Sequence, residues 1–314
     1  MTMSQSEAVA SLHVLVAVAQ ADKELHDEEQ KAIQSALDAT GLSDVIGAKE
    51  IFEDTFDLDE QVALLSTPEA RDETYKSAYS LAFADGDCSE EEKALLARLR
   101  KKLAISEARD RELDRLFKEK LAEKKSYFTF IEDPAERETK ITSETRKCSI
   151  ISAVLGAAPW PGLSLATDLA VVYLQVCLVR DIGAMHGREV DMKKAKSMLA
   201  AAGVGTGARI AISNLAKFLP GWGSVIGAAM SYASTYAVGK VFHKYFLEGG
   251  TLDEAALKAE FAKAQAEGKK AYEADKAEAN AKEKAAKEQL SSLAEDAKAG
   301  RLSHEEIGER ISKV

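Results

Sequence analysis

The residues best suited to chemistry are six acids in two matching turns. Asp22, Glu24 and Glu29 stand in Ala19-Gln20-Ala21-Asp22-Lys23-Glu24-Leu25-His26-Asp27-Glu28-Glu29. Asp85, Asp87 and Glu92 stand in Ala82-Phe83-Ala84-Asp85-Gly86-Asp87-Cys88-Ser89-Glu90-Glu91-Glu92, at an offset of 63. Hard divalent cations such as Ca²⁺ take several oxygen ligands, and acids from both turns would converge if the two hairpins were related by a pseudo-twofold. The spacing is not that of a twelve-residue EF-hand loop. The same acids also have a structural use. Ser89 with Glu92 makes a capping box, which satisfies orphan N–H groups at a helix start. Asp27, Glu28 and Glu29 suit the positive end of the helix that follows the first turn. Spacing alone leaves both readings open.

Little else in the chain is poised for a reaction. There is no P-loop, no H-E-x-x-H and no G-x-S-x-G. Gly203-Val204-Gly205-Thr206-Gly207 has no strand before it and no Lys-Ser/Thr after it, so it reads as close packing. The histidines (His13, His26, His186, His243, His304) are scattered. Cys88, Cys148 and Cys177 have no C-x-x-C spacing and cannot build a disulfide framework, which predicts a reducing compartment. Acidic neighbours push the Cys88 thiol pKa up, away from reactivity. With no nucleophile–base constellation, a non-enzymatic protein is expected.

The elements that position these residues read as helices throughout. Of 314 residues, 30% are charged, 6% are aromatic and five are proline, a balance that predicts an all-α fold. Val14, Val18 and Ala21, and Leu95, Leu96 and Leu99, follow helical spacing. The predicted organisation is an acidic helical domain over 1–122, a charged linker over 123–145 containing Pro134, and an apolar helical domain over 146–250. A charged spacer helix over 251–288 and a short helical hairpin over 289–314 complete it. Thirteen of the 19 glycines fall between Gly156 and Gly250, so helices there should approach closely. The spacer is Ala/Glu/Lys-rich and is expected to be solvated, held by propensity and charge pairs without a core of its own.

Charge is polarised along the chain. Residues 1–92 carry 22 acids against 5 Lys+Arg, net −17, while the whole chain is −10. A duplex-DNA binder shows an aromatic-interleaved basic surface; none is evident, so nucleic acid is not an expected partner. The N-terminus MTMSQSEAVAS has no basic stretch followed by an apolar run and predicts no secretory signal.

Two charge-free runs, Cys148–Thr167 and Phe218–Gly239, approach the ~20 residues of a membrane span. Pro159-Trp160-Pro161-Gly162 punctures the first, and Leu219-Pro220-Gly221-Trp222-Gly223 opens the second. Three arrangements compete: a buried helical core, interfacial hairpins with Trp160 and Trp222 at headgroup level, and true spans. Arg146, Lys147, Lys217 and Lys240 flank the runs and would suit an anionic leaflet, where a basic residue is worth about 1 kcal/mol. Asp168 and Gln175 lie seven apart on one helix face, and Asp168 is expected to cap or to pair, with Arg209 as one partner.

Three segments resemble known families. Ala84-Asp85-Gly86-x-x-Ser89-x-x-Glu92 after an apolar helix resembles the TerB-like module of tellurite-resistance and stress proteins, over about residues 5–120. That resemblance implies an all-helical domain whose acidic turns hold a divalent metal, at Asp22, Glu29, Asp85 and Glu92 here. The first copy departs from the pattern, with Lys23 for the turn glycine and His26 for the capping serine. Pro159-x-Pro161-x₆-Asp168-x₆-Gln175-x₁₁-Gly187, Leu219-Pro220-Gly221-x-Gly223 and Gly239-x₅-Tyr245-Phe246-x-x-Gly249 resemble the conserved domain of YcjF-like proteins. That domain is often attached to bacterial GTPases or membrane segments and has no established chemistry. Leu290-x-x-Leu293-x₆-Gly300-Arg301-Leu302-Ser303-His304-Glu305-Glu306 resembles the C-terminal hairpin called SHOCT, which implies self-association through 289–314.

Together these predict a bacterial, membrane-associated stress-response scaffold or sensor. Its TerB-like head would hold Ca²⁺ or another divalent cation. It would sit on the cytoplasmic face of the inner membrane, peripheral or hairpin-inserted. The alternatives are a cytoplasmic regulatory partner of a GTPase or stress complex, and a membrane-permeabilising or membrane-remodelling effector.

Overall fold

The computed structural model describes residues 3–21, 34, 37, 56–82, 88–118, 126–157, 164–204, 223–298 and 306. The fold is all-α, with no strand among the described residues. The described helices are α1 (Gln5–Ala19), α2 (Leu58–Leu64), α3 (Pro68–Ala82), α4 (Glu90–Lys102), α5 (Glu107–Lys118), α6 (Pro134–Ala157), α7 (Ser164–Met185), α8 (Met192–Ala201), α9 (Gly223–Leu247) and α10 (Glu254–Lys298). The chain divides into two compact units, Met1–Glu119 with Gly205–Ile226, and Lys120–Val204 with Gly227–Val314.

In the first unit α1 and α3 carry the duplication. Their bounds, 5–19 and 68–82, differ by the same offset of 63 seen in the acidic turns. Ser11 Oγ and Thr74 Oγ1, which are equivalent under that offset, meet at 2.6 Å. Each hydroxyl also lies within hydrogen-bond reach of the carbonyl four residues earlier, Glu7 O at 2.8 Å and Ala70 O at 2.7 Å, again an equivalent pair, so one hydroxyl donates to its carbonyl and the other to its partner hydroxyl. Repeat-equivalent residues in direct contact place a local pseudo-twofold axis between the two helices.

Helix α3 is polar by sequence yet buried from Glu73 to Ala82. Burying polar groups is costly unless they are paired, and here they are. Tyr75 OH donates to Asp110 at 2.6 Å and Tyr79 OH to Asp114 at 2.8 Å. Burial and these acids push both phenol pKa values far up. Buried Lys76 ion-pairs with Glu73 one turn earlier. Arg109 forks onto both oxygens of Asp72 at 2.9 Å and reaches Glu112 at 2.9 Å. Arg109→Met should therefore cost about 2–3 kcal/mol, read by urea denaturation followed by circular dichroism, because two acids lose a forked charge partner.

Glu7 ties the N-terminus of α1 to the turn before α3. Its Oε2 accepts from Ser4 N and Ser4 Oγ, both at 2.9 Å. Its Oε1 accepts from Ser66 N (3.2 Å), Ser66 Oγ (2.9 Å), Thr67 N (3.2 Å) and Thr67 Oγ1 (3.3 Å). Helix α4 ends in a left-handed residue, Ala104, at φ 55°. Ile105 N donates to Arg100 O at 2.9 Å and Ala104 N to Lys101 O at 3.3 Å, a Schellman closure. Glycine is the natural occupant there, so Ala104→Gly should stabilise the unit by about 0.5–1 kcal/mol in the same denaturation experiment.

The second unit is a bundle of α6, α7, α9 and α10, with α8 closing one end. Its core takes Val176, Val179 and Ile182 from α7, Met192 and Leu199 from α8, Val238 and Phe242 from α9, and Leu257 and Phe261 from α10. Helices α6 and α9 run antiparallel through small residues. Gly156 faces Gly227 and Ser231, Ser152 Oγ accepts from Thr235 Oγ1 at 2.9 Å, and Gly239 lies against Thr145. Small side chains let the backbones close together, as helices in lipid also do. Gln175 of α7 adds a polar link, donating to Ser234 (3.2 Å) and Thr235 (3.0 Å).

Two sequence expectations are corrected here. Pro134 does not lie in a connector: it opens α6, which runs unbroken through the expected boundary at 145/146. Asp133 caps it, its Oδ1 accepting from Glu136 N at 2.7 Å, and proline suits the first helical position. The segment 251–288 is helical but is not a solvated spacer. Leu257, Phe261, Ala264, Tyr272, Ala279 and Ala286 are buried, and Gly268 rests on the Ala233 backbone. Beyond Phe261 that stripe is Ala264, Gly268, Tyr272, Ala279 and Ala286, small residues but for one tyrosine, so it carries little hydropathy while packing closely.

Candidate functional site

Of the six acids proposed for metal, Asp22, Glu24, Glu29, Asp85 and Asp87 lie outside the described residues. Glu92 is described, and it makes the capping box. Its Oε2 accepts from Ser89 N at 2.8 Å and Ser89 Oγ at 2.9 Å, and Ser89 Oγ accepts from Glu92 N at 3.1 Å. Among the described residues no group of three or more His, Cys, Asp or Glu converges as a metal site would.

Of the residues proposed for membrane contact, Trp160, Trp222 and Lys217 also lie outside the described residues. Lys147 and Lys240 are exposed. Arg146 is held by α10, reaching Asp275 at 2.8 Å and Glu278 at 2.6 Å. These carboxylates raise the guanidinium pKa through hydrogen bonds first. Asp168 is half-buried on α7, and Arg209 lies outside the described residues. Helix α10 continues through Leu290 and Leu293 to Lys298; most of the expected hairpin beyond it is outside the described residues.

The second unit assembles a cluster that sequence reading left scattered. His186, just past α7, and His243 of α9 meet at 3.1 Å, Nε2 to Nδ1. Their rings tilt at 43° with centroids 5.2 Å apart, and Phe246 packs on His186 at 5.9 Å. The turn after His186 is fixed by Gly187 at φ 70°, with Phe130 lying over it. Arg188 N closes that turn onto Gly183 O at 2.8 Å.

Arg137 of α6 reaches the same corner. Its Nη1 donates to Ile131 O at 2.8 Å, and Ile131 N donates to Met185 O at 3.1 Å, one residue from His186. Arg137 Nε is shut from solvent with no acceptor among the described residues. Burial first, then the Arg137 charge and its neighbours, lowers the His186 pKa to about 4. His243 is lowered too, by burial, with Arg137 and Lys240 adding and Glu138 opposing. Both imidazoles are therefore neutral at pH 7, and one donates to the other. The pair lies 57 residues apart in sequence and has no local signature; only the topology that runs α7 and α9 side by side joins it.

No family model and no solved structure matches the chain. Over 113 residues it is 30% identical to Magnetosome membrane protein 22 of Magnetospirillum gryphiswaldense, a match covering 33% of this chain and 56% of that protein. The chain thus spans about half the length of that curated relative. Among the described residues no helix is long and apolar enough to cross a membrane.

Proposed function

We propose that the protein is a non-enzymatic, membrane-associated scaffold or sensor of the stress-response type, with a TerB-like head that takes a divalent cation. The observation that carries the membrane part is the similarity to a magnetosome membrane protein. The duplicated α1/α3 pair supports the head, because the pseudo-twofold at Ser11 and Thr74 is the relation that two acidic turns sharing one cation require. Cation binding would neutralise part of the −17 of residues 1–92 and alter how the head meets basic surface. The segment 289–314 is the self-association element in this reading.

Fractionation of the untagged protein in bacteria tests the membrane part. Carbonate-resistant pelleting indicates insertion, and release by salt alone indicates peripheral docking on anionic lipid. Recovery in the supernatant as a discrete oligomer overturns it. The cation part is tested by Asp22→Asn with Asp85→Asn. If Ca²⁺ neither binds the parent chain nor changes its membrane partition relative to the double variant, the sensor reading falls.

A second reading, a regulatory partner of a GTPase or stress complex that stays in the supernatant, is favoured by the second unit. The apolar helices there pack against one another, with their polar groups Gln175, Ser234, Thr235 and Ser152 joined inside the bundle.

A further inference from the structure

We infer that the corner formed by Arg137, His186, Arg188, Lys240 and His243 binds a phosphate-type oxyanion. The inference stands without the membrane reading, since a soluble ion tests it alone.

Three observations carry it. First, three permanent cations bear on the imidazoles: Arg137 from α6 on both rings, Arg188, two residues past His186, on that ring, and Lys240, one helical turn before His243 on α9, on the other. None of the three has a carboxylate partner among the described residues. Arg146, by contrast, is matched by Asp275 and Glu278, and Lys244 by Glu260. Glu138 is the acid that faces His243, and it is exposed. Second, Arg137 is held at this corner by Ile131 O, and its buried Nε has no acceptor among the described residues. A buried donor without a partner calls for an acceptor, and a water or an ion is one way to supply it. Third, His186 Nε2 and His243 Nδ1 hold each other at 3.1 Å and both residues are only half-buried, so the remaining nitrogens, His186 Nδ1 and His243 Nε2, are those an oxyanion would engage.

A metal ion also suits two convergent imidazoles, but Arg137, Arg188 and Lys240 oppose a cation there. An oxyanion reverses the sign of every one of those interactions. It accepts from the guanidinium fork and draws a proton onto the imidazole pair, which then donates from both rings. Binding must therefore take up protons and tighten as pH falls below the ordinary histidine value of 6.5.

The test is a sulfate titration of the full chain, since sulfate does not itself titrate near neutrality, with ionic strength held by chloride. The readout is the histidine ring protons by NMR, assigned with His186→Gln and His243→Gln. Sulfate should shift the resonances of His186 and His243 and raise their titration midpoints. Its binding should be at least tenfold tighter at pH 5.5 than at pH 7.5. Arg137→Gln should weaken binding at least tenfold. Should that variant lose its helical circular dichroism, the exposed pair Arg188→Gln with Lys240→Gln replaces it, with a loss of at least threefold. Unmoved histidine resonances, or binding unchanged in the folded variant, overturns the site. Sedimentation with phosphatidate-containing vesicles, against phosphatidylcholine alone, separates the two sources. Arg137-dependent sedimentation assigns the oxyanion to a lipid headgroup, and a sulfate response without sedimentation assigns it to a soluble ion.

Discussion

Glu7→Gln should lower the unfolding transition of the first unit by about 10 °C, the consequence of about 2–3 kcal/mol lost from a domain of this size. All six hydrogen bonds to this carboxylate arrive from donors: two from Ser4, two from Ser66 and two from Thr67. Glutamine has the same shape, yet its amide nitrogen presents hydrogens to N–H and O–H groups that also donate. Whichever way the amide turns, one set of donors is orphaned. The effect has a pH signature. Burial alone raises the Glu7 pKa, but the hydrogen bonds from Ser4, Ser66 and Thr67 outweigh it and bring it from 4.5 to about 2. A carboxyl held below its unfolded value stabilises the fold above that value, and the contribution is lost as pH falls toward the folded one. The gap between wild type and Glu7→Gln should be full above about pH 5.5 and shrink steadily as pH falls from 4.5 toward about 2. Calorimetry across that range measures it. A gap that does not narrow would sink the account.

Gly156→Ala should destabilise the second unit by about 2–3 kcal/mol, although alanine is favoured over glycine in a helix by about 1 kcal/mol. A methyl group there would meet the Ser231 side chain and would lie 2.5 Å from the carbonyl oxygen of Gly227. A carbonyl in the α9 backbone cannot step aside unless the whole helix does. Trimming Ser231 to glycine should therefore fail to rescue the variant. Gly239 gives the contrasting case. A methyl group there meets only Thr145 side-chain atoms among its nearest contacts. Gly239→Ala should be destabilising alone and substantially rescued by Thr145→Gly, giving a coupling energy of about 1 kcal/mol or more in a double-mutant cycle. Equal rescue at both positions would mean that the α6–α9 contact is looser than described.

Parts of this fold were legible because the cause is local. The capping box at Ser89 and Glu92 needs only four residues to be read, and the helical spacing of Leu96 and Leu99 needs one turn. The offset of 63 was visible as repeated residue types, and it then appeared as matching helix bounds in α1 and α3. Other parts were hidden because their cause is distant or carries no hydropathy. Ser4-x-x-Glu7 has the form of a box, but nothing near it announces Ser66 and Thr67. The buried face of α10 is written mostly in alanine and glycine, whose value lies in how closely another backbone approaches. His186 and His243 meet through the path of two helices, so neither histidine looks unusual in its own segment. The acidic turns are the reverse case: conspicuous in sequence, and with only Glu92 of their six candidate ligands among the described residues.

The contact between Ser11 and Thr74 bears on the history of the molecule. Contact between like residues is how the two subunits of an isologous dimer meet across their axis. At this contact α1 and α3 meet as two such subunits would, but on one polypeptide. A symmetric assembly of two separate chains must keep both halves identical. A single polypeptide carries no such constraint, and α1 and α3 differ at equivalent positions: His13 stands opposite Lys76 in the repeat, and the Glu7 clasp is answered by Ala70. The clasp at Glu7 therefore serves one repeat alone, and the fold is tied down asymmetrically around a symmetric contact.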